Sequence, residues 1–179
     1  MKRRKPGRPL RPVVDRERLM EAALQLLEEG GLEAVTMRAL GKRLKVNPMA
    51  AYHYFEDKKA VLNAAAARQF RRFRPRLTQR YLRDRLLVLG LSYGRFLQRS
   101  VGLLHYLVTT DEAAARPVRH FDRLFTAALG KHRLSPGAYQ TARNALADLV
   151  HGFALAGPTV PLRLLDRELR LLIAGIAEG

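Results

Sequence analysis

The sequence contains no cysteine, which excludes disulfides, thiolate-bound zinc, iron-sulfur clusters and cysteine nucleophiles. Acid is also scarce: 16 Asp plus Glu stand against 33 Lys plus Arg, a formal net charge of +17. No uninterrupted apolar stretch approaches the ~20 residues that a bilayer-spanning helix needs. The start of the chain lacks the apolar core of a secretory signal, so a cytoplasmic address with no membrane partner is expected. No period-two alternation is long enough for a pair of strands. What is present is 47% hydrophobic residues in a chain of 179, enough to bury a real core. A positive surplus of this size favours a polyanionic partner, nucleic acid first among them.

The surplus is unevenly placed. Residues 1–14 carry six basic side chains and no acid, together with three prolines and a glycine that deny them a helix. They read as a disordered basic arm. Residues 15–60 carry eight basic and eight acidic groups, whereas residues 61–179 carry 19 and 8. Ten arginines and a single acid, Asp84, fall between Arg68 and Arg99. That run reads either as a solvated helix face or as a wall that attracts anions. Within the arm, Lys5-Pro6-Gly7-Arg8-Pro9 resembles an AT-hook, whose extended backbone lets an arginine, here Arg8, enter a narrow minor groove. The alternative is a tail that touches only phosphates, or nothing.

The periodicity is helical throughout. From Asp15, an N-cap, the apolar residues Leu19, Met20, Ala23, Leu24 and Leu27 form one stripe, stopped by Gly30-Gly31. Thr36 caps a short second helix with Met37, Leu40 and Leu44 inward, and a break follows at Lys45-Val46. Asn47-Pro48 then supplies an N-cap followed by proline in the first helical position. This third helix ends near Phe55-Glu56, and Asp57 caps a fourth that runs to about Phe73 before Pro75. Further helices are predicted at 77–99, 101–109, 112–130, 136–156 and 162–177. The fold class is therefore all-α.

A short capped helix, a tight break and a second short helix opening at Asn47 make a helix-turn-helix, whose second helix offers its first side chains to the major groove. Gly41 lies where the two helices approach closely. Tyr52-His53-Tyr54-Phe55 combines an apolar anchor with groups that donate to phosphate oxygens. Lys58 opens the next helix, where free N–H groups favour an anion. The alternative for this segment is an ordinary three-helix packing unit that binds no nucleic acid.

These segments, RERLMEAALQLLEEGGLEAVTMRALGKRL and KVNPMAAYHYFEDKKAVLNAAA, resemble the DNA-binding region of the TetR (tetracycline-repressor-like) family of bacterial transcription regulators over Asp15 to Phe70. The resemblance implies phosphate contacts from Thr36, Tyr52 and Lys58, anchoring by Phe55, and groove contacts from Asn47, Pro48, Met49, Arg38 and Lys42, with His53 beside them. Three positions depart from the family pattern. Lys45 replaces the usual glycine of the turn, which places a side chain in a left-handed conformation at a cost of about 1 kcal/mol. Met49 and Ala50 replace smaller or hydroxylated residues, and Ala51 replaces leucine. Base reading is then expected to rest on apolar contact with thymine methyls and on Asn47 to adenine.

Catalytic patterns are weak. Gly90-Leu91-Ser92-Tyr93-Gly94 fits the G-x-S-x-G spacing of a hydrolase, but that chemistry needs a strand-turn-helix corner and this stretch is helical. Two glycines four apart instead let another helix come close. The five histidines show no tight ligand spacing. The chain is read as a non-enzyme without metal or cofactor.

In the remaining two-thirds, Leu162, Leu165, Leu169, Leu172 and Ile176 repeat at 3-4-3-4 spacing, and the preceding helix offers Tyr139, Ala142, Leu146, Leu149, Val150 and Phe153. The resemblance implies that these two helices pair across a two-fold axis; the alternative is that both stripes face their own core. Tyr93, Phe96, His105, Tyr106, Phe121 and Phe125 are either core or the lining of an apolar effector cavity with a polar entrance. The organisation expected is an AT-hook-like arm (1–14), a helix-turn-helix DNA-binding domain (15–60) and a helical effector-binding and dimerisation domain (61–179). As a whole it reads as a ligand-responsive repressor that binds a palindromic operator as a homodimer. The alternative is a non-specific architectural or RNA-binding helical protein.

Overall fold

The computed structural model describes residues 14–178, with the side chains of residues 111–115 and 178 outside that description. The expected basic arm with Arg8 therefore lies outside the described residues, apart from Val14. Every regular element among the described residues is helical.

The first unit is built from local signals. Asp15 Oδ1 accepts from the Arg18 N–H at 2.8 Å and starts α1 (Arg16–Ala34). Gly30 leaves helical geometry and Gly31 takes φ +67°, so the double glycine kinks α1 where the periodicity stops. Thr36 Oγ1 accepts from the Ala39 N–H at 3.0 Å and caps α2 (Met37–Leu44). The helix predicted from Asn47 to Phe55 is shorter than expected, α3 (Met49–Tyr52). Asp57 Oδ1 accepts from the Ala60 N–H at 2.7 Å at the start of α4 (Lys58–Arg72). Leu19, Leu27, Leu40, Ala51, Phe55, Val61 and Leu62 form this unit's core. Each fully buried Leu or Phe contributes about 1.5–3 kcal/mol from desolvation alone. Two compact units divide the chain between Ala65 and Ala66, and α4 runs across that division.

The second unit comprises the end of α4 with α5 (Leu82–Gln98), α6 (Val101–Val108), α7 (Asp111–Leu129), α8 (Pro136–Leu155) and α9 (Leu162–Glu178). One expectation fails here: α5 begins at Leu82, not at residue 77. The Arg85 guanidinium explains the difference. Its Nη1 donates to the carbonyls of Gln79 (3.2 Å) and Arg80 (2.8 Å), while Nε and Nη2 reach the carbonyls of Ala128 (2.7 Å) and Leu129 (3.2 Å). Carbonyls that an earlier helix start would have turned inward are instead held by a cation, which also closes the end of α7. Gly90 and Gly94 lie against α9: a Cβ at Gly90 would stand 2.7 Å from Leu169 Cδ1, and one at Gly94 2.5 Å from Leu165 Cδ2. The G-x-S-x-G spacing is thus a helix-packing groove, with no strand-turn-helix corner.

Candidate nucleic-acid interface

The turn between α2 and α3 is rigid for identifiable reasons. Lys45 adopts φ 56°, ψ 42°, the left-handed conformation expected of it, and is the only non-glycine residue with positive φ among those described. Its N–H bonds the Lys42 carbonyl at 3.2 Å and the Val46 N–H bonds the Gly41 carbonyl at 2.9 Å. This is the Schellman closure, which normally recruits glycine at the left-handed position. Gly41 permits the close approach: a Cβ there would meet the Cα and N of Pro48 at 2.9 Å and the Val46 carbonyl at 3.0 Å. All three obstacles are backbone, so no side-chain rotation relieves them.

The start of α3 corrects a detail of the sequence reading. Pro48 already has helical backbone (φ −50°, ψ −32°), and Asn47 Oδ1 accepts from the Met49 N–H at 2.9 Å. Asn47 therefore serves as the capping side chain, as its residue type suggests. The same bond counts against the adenine assignment, which needs the amide oxygen and nitrogen free together. With the oxygen on the helix end, the amide NH₂ is what remains to donate outward.

Residues 36–54, which form this turn, contain no acid. Thr36, Arg38, Lys42, Lys45, Asn47, Met49, Tyr52 and His53 are exposed, and Pro48 and Lys58 are half-buried. Met49 is 63% and Tyr52 49% exposed, unusual for residues of their size, whereas Ala51 between them is fully buried. Thr36 uses its oxygen as acceptor in the cap, so its O–H is left as a donor. Lys58 Nζ donates to the Leu32 carbonyl at 3.4 Å, which anchors the ammonium beside the first turn of α4 and leaves further N–H bonds for an anion.

Two supports were not legible in the sequence. Tyr54 was grouped with the phosphate donors, yet its hydroxyl donates to the Val14 carbonyl at 2.7 Å, tying the chain ahead of α1 to the end of the turn. Arg16 donates from Nη1 to the Tyr54 carbonyl at 2.7 Å and stacks over the Phe55 ring at 4.2 Å. Arg43 is likewise structural, paired with Glu29. That pair holds the Glu29 carboxyl below its ordinary range, chiefly through the Arg43 hydrogen bond. An open cleft of about 650 Å³ runs along this face, lined by Val14, Lys45, Asn47, His53 and Tyr54 among others.

In the second unit the residues expected to line an effector cavity do not act together. Tyr93, Phe96 and Phe121 join Phe70 and Phe73 in a packed ring cluster, with Tyr93 to Phe121 at 4.7 Å and Phe73 to Phe96 stacked at 4.9 Å. Tyr93 is buried, its hydroxyl 2.9 Å from His151 Nε2, and burial raises the Tyr93 hydroxyl well above its ordinary range. Phe125 packs edge-on against Tyr139 instead, at 5.4 Å, and Tyr106 is buried. His105 is exposed and joins none of these packed groups. His120 is bound to the Phe73 carbonyl at 2.9 Å. No three His, Asp or Glu side chains gather as metal ligands among the described residues.

The leucine stripe is also corrected. Leu165 and Leu169 are fully buried and Ile176 nearly so, as are Leu146 and Phe153 on α8. Leu165 and Leu169 fill the groove left by Gly94 and Gly90 of the same chain. Tyr139 bonds Thr126 Oγ1 at 2.9 Å within the chain as well. Leu165 and Leu169 therefore face their own core, while Leu162 and Leu172 of the same stripe stay half-buried beside what α8 and α9 offer outward. Leu164 and Leu171 are 47% and 74% exposed, Leu172 is half-buried, and an apolar groove of about 330 Å³ runs between Leu134, Ala138, Ala142, Leu172 and Ile176.

Comparison with known proteins agrees with this geometry. A family profile described as "Bacterial regulatory proteins, tetR family" matches residues 19–65, which span α1 to the middle of α4. The HTH-type transcriptional repressor KstR of Mycolicibacterium smegmatis is 30% identical over 88% of this chain and 86% of its own length. The tetracycline repressor protein class C of Escherichia coli is 42% identical, but only over 30% of this chain and 24% of its own. Among solved structures, BioQ crystallised with its double-stranded DNA operator superposes with a TM-score of 0.75, covering 93% of this chain and all of that one at 21% identity.

Proposed function

The chain belongs to the tetR family of bacterial regulatory proteins, DNA-binding regulators of transcription, and on that premise we propose that it is a ligand-responsive repressor that reads a palindromic operator as a homodimer. The observation that carries the reading is the turn face. A four-residue helix holds Met49 and Tyr52 out in solvent on a turn locked by Gly41, Lys45 and Asn47, and core packing gives no reason for such a display.

In this reading Met49 and Pro48 meet base edges through apolar contact, and the Asn47 amide donates to an acceptor in the major groove. Thr36, Tyr52 and Lys58 grip phosphates, with Arg38, Lys42, Lys45 and His53 along the same backbone. The Tyr54 to Val14 bond places the start of the described chain beside Asn47 and His53. That position favours contact of Arg8 and its basic neighbours with the same duplex, in the minor groove next to the reading face. The second copy is expected on the outward apolar surface of α8 and α9, around Leu164, Leu171 and Leu172, and not on the buried Leu165 and Leu169. A small effector bound in the second unit would lower operator affinity by favouring a conformation unfit for DNA.

Selection of binding sites from random duplex DNA tests the reading. An inverted repeat with half-sites about one helical turn apart is the expected result. Enrichment of no motif would overturn it in favour of a non-specific architectural or RNA-binding role. A protein that stays monomeric at micromolar concentration while binding a single asymmetric site would remove the dimer.

A further inference from the structure

The second unit carries an arginine-lined cleft that the operator reading leaves unused. It has a volume of about 480 Å³ and lies between the end of α4, residues 73–75 and the last turns of α5. Arg72, Arg74, Arg95 and Arg99 line it, and none of its lining residues is acidic. All four are exposed, and none is ion-paired with an acid among the described residues. Arg74 Nε donates to the Arg71 carbonyl at 3.1 Å, which fixes that guanidinium on a backbone oxygen while leaving its charge uncompensated. The floor is apolar: Phe96 is half-buried and stacks on the buried Phe73.

Arginines at helix C-termini need no ligand to explain them, since each terminus carries about half a negative charge. Two helices, α4 and α5, end here. Their termini together offset about one charge of the four, so roughly three remain crowded around one concavity. A structural arginine in this chain behaves differently: Arg85 has all three guanidinium nitrogens on carbonyls. Guanidinium groups left free, convergent and above an aromatic floor match a planar, bidentate recognition of phosphate. The volume lies within the range of small-molecule sites.

We propose that this cleft binds an organic phosphate, its anionic group held by Arg95 and Arg99 with Arg72 and Arg74 as flanking charge, and its apolar portion laid on Phe96. The proposal rests on the effector reading given above and names the chemical class of that effector.

Calorimetry on the full chain with 1-naphthyl phosphate, 1-naphthol and inorganic phosphate is the test. The expected result is saturable binding of 1-naphthyl phosphate, one per protomer, at least tenfold tighter than either part alone. Arg95→Gln/Arg99→Gln should weaken it at least tenfold, and Phe96→Ala should weaken the naphthyl compound but not inorganic phosphate. Each variant is checked for an unchanged thermal midpoint. Equal affinity in the double arginine variant, or binding that never saturates, overturns the proposal. It is overturned too if that variant binds 1-naphthyl phosphate as tightly as the unaltered chain but loses more than tenfold in operator affinity at fixed salt, which marks the cleft as a nucleic-acid contact. Operator release is read separately. Release by 1-naphthyl phosphate that persists in the double variant keeps the effector reading and refutes this site; tight binding without release keeps the site and refutes its role as effector.

Discussion

Replacing Lys45 separates two quantities that this residue combines, backbone strain and charge. Its φ of 56° places Cβ against the following carbonyl oxygen, a conformation that costs a non-glycine residue roughly 1–2 kcal/mol. Glycine removes that cost but gives back about 0.5–1 kcal/mol through the freedom it adds to the unfolded chain. Lys45→Gly should therefore gain about 0.5–1 kcal/mol, and Lys45→Asn a similar amount because asparagine tolerates the left-handed region. Lys45→Ala is the decisive control, since it loses the same charge but keeps the strain. In a chain of 179 residues a gain of 1 kcal/mol corresponds to about 2–4 °C in the thermal midpoint.

Binding should move the other way and equally in all three variants. The Lys45 side chain is exposed on the turn, so on the proposed reading its loss removes about one phosphate contact per protomer. For a two-fold dimer the slope of log K against log salt should become shallower by about 1.8. The order of midpoints expected in calorimetry is Gly and Asn above wild type, with Ala at or below it. An alanine variant as stable as the glycine variant would refute the strain argument. A salt slope unchanged in all three would refute the placement of Lys45 on the DNA face.

Gly41→Ala should destabilise the first unit by 1–3 kcal/mol, because the new methyl meets only backbone of Pro48 and Val46, and operator affinity should fall with it; a fully stable, fully binding variant would show that the turn has slack. Tyr52→Phe should weaken binding uniformly across operator sequences by removing one phosphate hydrogen bond, whereas Met49→Ala should alter sequence preference; competition binding against a panel of operators at fixed salt separates them. Deleting residues 1–12 should lower operator affinity and flatten its salt dependence, and identical slopes would dismiss the arm. Burial holds the His151 imidazole below its ordinary value of 6.5, with Asp148 pulling weakly the other way, so the unfolded chain takes up the proton first on acidification. Stability is then complete above about pH 6.5 and falls as pH drops below it. His151→Gln, which keeps an acceptor for the Tyr93 hydroxyl, should lose less stability between pH 7 and 5.5.

What could be read from the chain alone was local. Asp15, Thr36 and Asp57 declared helix starts because a capping oxygen needs only the next three residues to act. Gly41 and the left-handed Lys45 were visible because a tight turn constrains its own few residues. The failures all concern partners. Leucines at 3-4-3-4 spacing announce a buried stripe without saying against what, and only the Gly90–Gly94 groove shows that Leu165 and Leu169 stay within the chain. Arg85 was one of ten arginines in a run, and nothing in its neighbours reveals that its donors close the end of α7, over forty positions away. Tyr52 and Tyr54 look alike in sequence, yet Tyr52, the last residue of α3, is solvent-facing, whereas Tyr54, in the turn beyond it, is bonded to Val14.

The neutrality of residues 15–60, which by itself favours a plain packing unit, is an average over two oppositely charged parts. Five of the eight acids, Glu17, Glu21, Glu28, Glu29 and Glu33, belong to α1, while residues 36–54 carry four basic side chains and no acid. Of the four, Arg43 is spent on Glu29. Arg38, Lys42 and Lys45 are left exposed on the turn face. Screening limits the reach of a charge to about 8 Å at physiological ionic strength. A phosphate docked at the turn is therefore governed by those three cations and Lys58 and not by the segment's sum. With Lys58 they make four cations per protomer, and on the proposed reading the six basic residues ahead of Val14 add sequence-independent attraction to theirs. The proposed division of labour is physical: a short, rigid face with few charges would discriminate between sequences, and a separate basic stretch would supply attraction that does not.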